Sequence, residues 1–146
     1  MPFDVFVAEF RALTVAEVDD NASYVYKSVK DRDCKGAYFA VDIFADGLYS
    51  FQVDKTPERI YPDKYQQMFQ YPEALIEVGR LQGNSIQKYQ GLRSAKRTLV
   101  QKHQLSPGKY IVFVRISYSK DWEDEFDVNL AIYAPTACTI QLASRQ

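Results

Sequence analysis

At 146 residues and 16.8 kDa, the chain has the size of one domain and too little length for two independent cores. Its 47% hydrophobic, 14% aromatic and 25% charged residues supply a buried core, which excludes a disordered tail. A formal net charge of -1 and a pI near 5.8 exclude a uniformly basic protein.

Apolar and polar residues alternate in short runs along most of the chain, the period of half-buried strands, and helical periodicity is scarce. The stretches 5–10 and 13–18 open this pattern and end at the turn-forming Asp19, Asp20 and Asn21. A clean alternation over 23–29 predicts the next strand, and 37–44 the one after it. Ala45, Asp46 and Gly47 then separate that run from another over 48–53. Asp-Gly between two alternating runs predicts a tight type I′ hairpin, because that turn needs positive φ.

From Lys55 to Glu73 the pattern breaks around Pro57, Pro62 and Pro72, which predicts a long connection holding one helical turn near 64–69. Connections of that length suit Greek-key topologies and argue against a simple meander barrel. Strands are predicted again at 75–78, 85–89 and 98–102, the first two separated by Gln82, Gly83 and Asn84. Leu105, Ser106, Pro107 and Gly108 form a turn before a strand over 109–118, which makes the clearest pair with a strand over 126–133. Alternation sends Tyr110, Val112, Val114, Ile116 and Tyr118 to one face, and Phe126, Val128, Leu130 and Ile132 to one face of the return strand. A short closing strand is expected at 138–142. Eight to ten strands with frequent turns predict an all-β fold, a single antiparallel β-sandwich over 1–146.

Little in the sequence points to chemistry. No run of about 18 apolar residues occurs, and the opening Met1, Pro2, Phe3, Asp4 lacks the basic-then-apolar order of a secretion signal, so a cytoplasmic location without a transmembrane segment is expected. Cys34, Cys138 and the single histidine, His103, lack the spacing of a zinc site or a disulfide scaffold. Cys138 reads as a small buried side chain, Cys34 as an exposed thiol in a charged turn, and His103 as a strand end at the surface.

Charge is strongly segregated. Residues 1–77 hold 14 acidic and 8 basic side chains, residues 78–120 hold 9 basic and none acidic, and residues 121–146 hold 5 acidic and one basic. Internal pairing and ordinary solvation are the plain expectation, and a phosphate-seeking face is the alternative. The stretch 91–97, with Arg93, Lys96 and Arg97, is a compact cationic loop and the best candidate contact for an acidic protein or an anionic lipid. Nucleic acid is disfavoured, since Ile111 and Phe113 interrupt any basic and aromatic face on the 109–118 strand. The acidic run Asp121, Glu123, Asp124, Glu125 and Asp127 is the candidate calcium or regulatory loop, because calcium takes six to eight oxygen ligands, although no EF-hand spacing is present. Asp19 and Asp20 form a lesser acidic turn, and Trp122 is a candidate aromatic anchor for a partner.

The stretch 105–112, opening Leu105, Ser106, Pro107, Gly108, Lys109 and Tyr110, is followed by an acidic loop and the return strand 124–133. Together they resemble the end of the C2-like third domain of calpains. The stretch 47–57 resembles the corresponding hairpin of divergent calpain-like proteins of unicellular eukaryotes, and 15–24 is similar to the junction with the protease core. The resemblance implies an eight-stranded sandwich, with residues 1–12 a linker or remnant of a preceding core. It further implies regulation, a calcium response or phospholipid contact. The Cys, His and Asn core that calpain catalysis needs exceeds this chain, so no enzymatic activity is expected. The functional expectation is a non-catalytic module that docks a protein or a linked protease core electrostatically, with calcium as modulator. The alternatives are a structural part of a cytoskeletal or ciliary assembly, a regulatory fragment of a calpain-like protease, and a phospholipid-binding domain.

Overall fold

The computed structural model describes residues 22–55, 71–118 and 127–143. Ten strands and no helix are found among the described residues: β1 (Ser23–Lys30), β2 (Ala37–Ile43), β3 (Gly47–Asp54), β4 (Ala74–Gln82), β5 (Ser85–Lys88), β6 (Leu92–Ser94), β7 (Thr98–Leu105), β8 (Gly108–Ile116), β9 (Asp127–Ala134) and β10 (Thr139–Ala143). No described helix is long and apolar enough to cross a membrane. The strands form two antiparallel sheets, one ordered β1-β9-β3-β7, the other β10-β2-β8-β4-β5 with β6 also on β4. The architecture is the expected β-sandwich.

The period-2 pattern decides what lies between the sheets. Phe39, Val41 and Ile43 of β2, Ile76 and Val78 of β4, and Tyr110, Val112, Val114 and Ile116 of β8 are buried from one side. Tyr49, Phe51 and Val53 of β3, Leu99 and Leu105 of β7, and Val128, Leu130 and Ile132 of β9 meet them from the other. The predicted face of 109–118 is thus the core face, and its opposite face carries the partly exposed Ile111, Phe113 and Arg115. Phe126, the sequence-predicted first member of the β9 set, lies outside the described residues, as do the expected strands at 5–10 and 13–18 and the helical turn near 64–69.

Two predicted local pairings and one residue placement are corrected. The tight hairpin at Ala45, Asp46 and Gly47 does not form: β2 and β3 lie in different sheets, so the chain there arches across the sandwich. Gly47 serves close approach and not positive φ, since a Cβ on it would stand 2.5 Å from Pro135 Cγ. The pair formed by 109–118 and 126–133 is likewise an arch, β8 and β9 belonging to opposite sheets. A β-hairpin does join β4 to β5, where Gly83 takes φ +60°, as the first central residue of a II′ turn requires. His103, read as a strand end at the surface, sits within β7 with its ring between Phe51 and Tyr89, at 6.1 and 5.3 Å.

The strand count exceeds the eight implied by the resemblance partly because β5 and β6 are one broken strand beside β4. Gly79 pairs with Lys88 and Ile76 with Leu92, so Tyr89, Gln90 and Gly91 stand opposite Val78 and Glu77 alone. This extra residue is a bulge, and it resets the alternation so that both Tyr89 and Leu92 pack against the core.

Tyrosine hydroxyls fasten the arches. Tyr49 donates to Ala45 O and Tyr110 to Ser106 O, each at 2.7 Å, and Tyr118 donates to Asp127 O at 2.8 Å across the β8–β9 arch. Each ring fills the core while its polar tip finds a carbonyl, that of Tyr49 and Tyr110 on a residue outside the strands and that of Tyr118 at the first position of β9.

Candidate functional site

Strand directions gather the charged loops at one end of the sandwich. Lys30 pairs with Asp127 in register, Asp54 with Thr98, Ala74 with both Ile116 and Ser94, and Ala37 with Val114. The β1–β2 loop, the exit from β3 at Lys55, the approach to β4 at Glu73, the β6–β7 loop and the start of β9 therefore share that end. Clustering binding residues on loops held by a rigid sandwich is the ordinary way such folds make contacts.

The β6–β7 loop is built from several hydrogen bonds. Ser94 Oγ accepts from Lys96 N at 3.1 Å, and Arg97 O accepts from Lys55 N at 3.0 Å. Lys55 then turns its side chain under the loop, where Nζ donates to Ser94 O at 3.0 Å and to Lys96 O at 2.7 Å. Only 3% of Lys55 is exposed. Burial pulls its pKa down to about 8, against the opposing pull of the Glu73 carboxylate. Arg93 is held by Glu73 at 3.0 Å, whereas Lys96 and Arg97 are exposed and enter no ion pair among the described residues. Of the three predicted cationic contacts, two point to solvent on a fixed loop and one is spent on a neighbour. Lys55 itself carried no sequence signal, because an isolated lysine after a strand looks like any surface lysine.

At the opposite edge of the same end the β1–β2 loop brings acids. The Asp31 carboxylate accepts from Lys35 N at 3.2 Å and from Gly36 N at 2.6 Å, closing the loop on itself. Cys34, expected to be exposed, is half-buried against the core with φ +51° and its Sγ 3.9 Å from Tyr118 O. Cys138 is buried as expected, and burial raises its pKa. A cleft of about 390 Å³ opens here, lined by Lys30, Asp31, Asp33, Lys35, Tyr38 and Leu142 among others. Its charges are paired, Lys35 with Asp33 at 3.4 Å and Lys30 with Asp127 at 3.2 Å.

Asp127 is the one member of the predicted acidic loop among the described residues, and it contacts Lys30 at the first position of β9. Asp121, Glu123, Asp124, Glu125 and the proposed anchor Trp122 lie outside the described residues, as do Asp19 and Asp20. Among the described residues no group of three or more His, Cys, Asp or Glu side chains could hold a metal ion.

The outer faces of both sheets expose apolar side chains. Tyr24, Tyr26 and Tyr133 cluster on the four-stranded sheet, with the Tyr24 and Tyr133 rings 4.9 Å apart. On the six-stranded sheet Tyr38 and Phe113 are 4.8 Å apart and border a groove of about 290 Å³ with Gly79, Ile86, Lys88 and Ile111. No family model matches the chain, and no curated protein matches it in sequence.

Proposed function

We propose that the chain is a non-catalytic binding module, of the calpain C2-like kind its sequence resembles, that docks an acidic stretch of a partner protein or of a linked protease core. The observation that carries this is the hydrogen-bonded 94–97 loop, which presents Lys96 and Arg97 exposed and, among the described residues, without an ion pair. A fixed loop loses little conformational entropy on binding, and exposed cations steer an acidic partner while tying affinity to salt. An acetylated peptide of Asp and Glu, labelled for fluorescence anisotropy, tests it on the full chain. Affinity should fall between about 0.05 and 0.3 M salt, over which the Debye length shortens from beyond 10 Å to well below it. The Lys96→Glu, Arg97→Glu double variant should bind at least about tenfold more weakly, corresponding to about 1.4 kcal/mol. Binding that ignores both salt and the double variant would refute docking through this corner.

A second reading, a structural component of a cytoskeletal or ciliary assembly, is favoured by the aromatic clusters on both outer faces. Sedimentation velocity that stays monomeric at high protein concentration would count against self-assembly through them.

A further inference from the structure

The ε-ammonium of Lys55 has no carboxylate within ion-pair distance among the described residues, yet it is almost wholly enclosed. Its two contacts are backbone carbonyls of the loop that carries Lys96 and Arg97. The ionisable groups on the elements around it are Asp54 on its own strand, Glu73 at the approach to β4, and Arg93, Lys96 and Arg97 on and beside the loop. Glu73 is engaged by Arg93, and Asp54 accepts from Gln52 Nε2 and Thr98 Oγ1, both at 2.7 Å. Among the described residues the buried cation therefore has no direct counterion, in a place where an acidic ligand on the loop would supply one.

We propose that Lys55 is the positioning residue of the cationic corner, and that an acidic segment docks there together with a proton held on the Lys55 amine. The proposal rests on the docking function above. An anion seated over the loop favours the charged form of the amine beneath it, so by linkage the charged form binds the anion more tightly. Affinity should then decline as pH rises through about 8, where the free protein surrenders this proton. Exposed lysines and arginines keep their charge throughout that range.

The experiment is titration of the full chain with the same acetylated Asp and Glu peptide at pH 7, 8 and 9. A Cys34→Ser background removes the thiol at the same end, and the peptide itself has no group that titrates there. Between pH 7 and 9 wild type should lose about fivefold in affinity if docking raises the amine's pKa by one unit, and up to about tenfold for a larger rise. Lys55→Met should bind more weakly at pH 7 and show a flat profile. Lys55→Arg, which keeps a cation with donors but cannot lose its proton at these pH values, should bind with a flat profile. Should Lys55→Met fail to fold, the Lys55→Arg profile decides alone. A wild-type profile as flat as that of Lys55→Arg overturns the proton-linked role while leaving docking intact. A Lys55→Met variant that matches wild type in affinity and in pH profile also overturns it. Absence of peptide binding by wild type at every pH and salt concentration removes the docking function and this inference with it.

Discussion

Tyr110 shows how much one hydroxyl can be asked to do. Its ring is fully buried, Arg80 stands 5.8 Å from the ring centroid, and its hydroxyl meets the carbonyl of Ser106 on the arch. Replacing it by Phe keeps the packing and orphans a carbonyl, which should cost about 1–2 kcal/mol in denaturant unfolding, and Tyr49→Phe should behave alike. His103 offers a second residue-scale test, because it is the sole histidine in the chain. Its Nε2 is buried without a hydrogen-bond partner among the described residues, and Phe51 and Tyr89 flank the ring. Burial lowers its pKa, so the unfolded chain takes up a proton near about 6.5 while the folded chain resists until lower pH. Stability is therefore full above about 6.5 and is lost as pH falls through the folded value. Urea midpoints measured from pH 7 to 5 should decline for wild type and decline less for His103→Leu. Equal slopes would show that the imidazole is not the responsible group.

At the scale of elements, the strands were legible and their partners were not. Strands were located at every described element but β6, along with the buried face of β8, because burial on one side of a pleated strand leaves a local trace. Partnership leaves none: Asp46-Gly47 satisfies hairpin chemistry, yet the chain arches, since Ile43 and Tyr49 both belong to the space between the sheets. A shared spacing does mark such arches, Gly47-Leu48-Tyr49 and Gly108-Lys109-Tyr110, each with the tyrosine returning to the carbonyl four residues before it. The β5–β6 bulge was hidden because one inserted residue disguises its two halves as separate fragments. For the candidate site, the cationic composition of 91–97 was readable, whereas its fixation by Lys55 depends on a contact between residues about 40 positions apart. Gly47→Ala tests the arch directly. The new methyl meets Pro135, so thermal unfolding should show a loss of about 1–3 kcal/mol, and Pro135→Ala should restore part of it. Full stability in the single variant would mean that this approach is not tight.

Across the whole molecule, the segregation of charge along the sequence becomes proximity in space. Charges of all three blocks meet at one end, some as pairs across blocks: Arg93 of the middle block with Glu73 of the first, and Lys30 of the first with Asp127 of the last. Internal pairing, the plain expectation, thus accounts for part of the charge, and Lys96 and Arg97 remain available. The sheets are equally interdependent. Apart from the β4–β5–β6 run, every step from one described strand to the next passes to the opposite sheet, and among the described residues β1 pairs with β9 alone. During translation, β1 must therefore emerge from the ribosome and wait without this partner until Asp127 and the rest of β9 have been made. Refolding after rapid dilution should accordingly be slow for this length, milliseconds to seconds by stopped-flow tyrosine and tryptophan fluorescence. A chain cut before β9 should give the collapsed signals of an unpaired sheet and not a native spectrum. Until β9 arrives, the exposed strands are a substrate for chaperones and for one another, and the arrival of β9 decides whether the earlier strands survive.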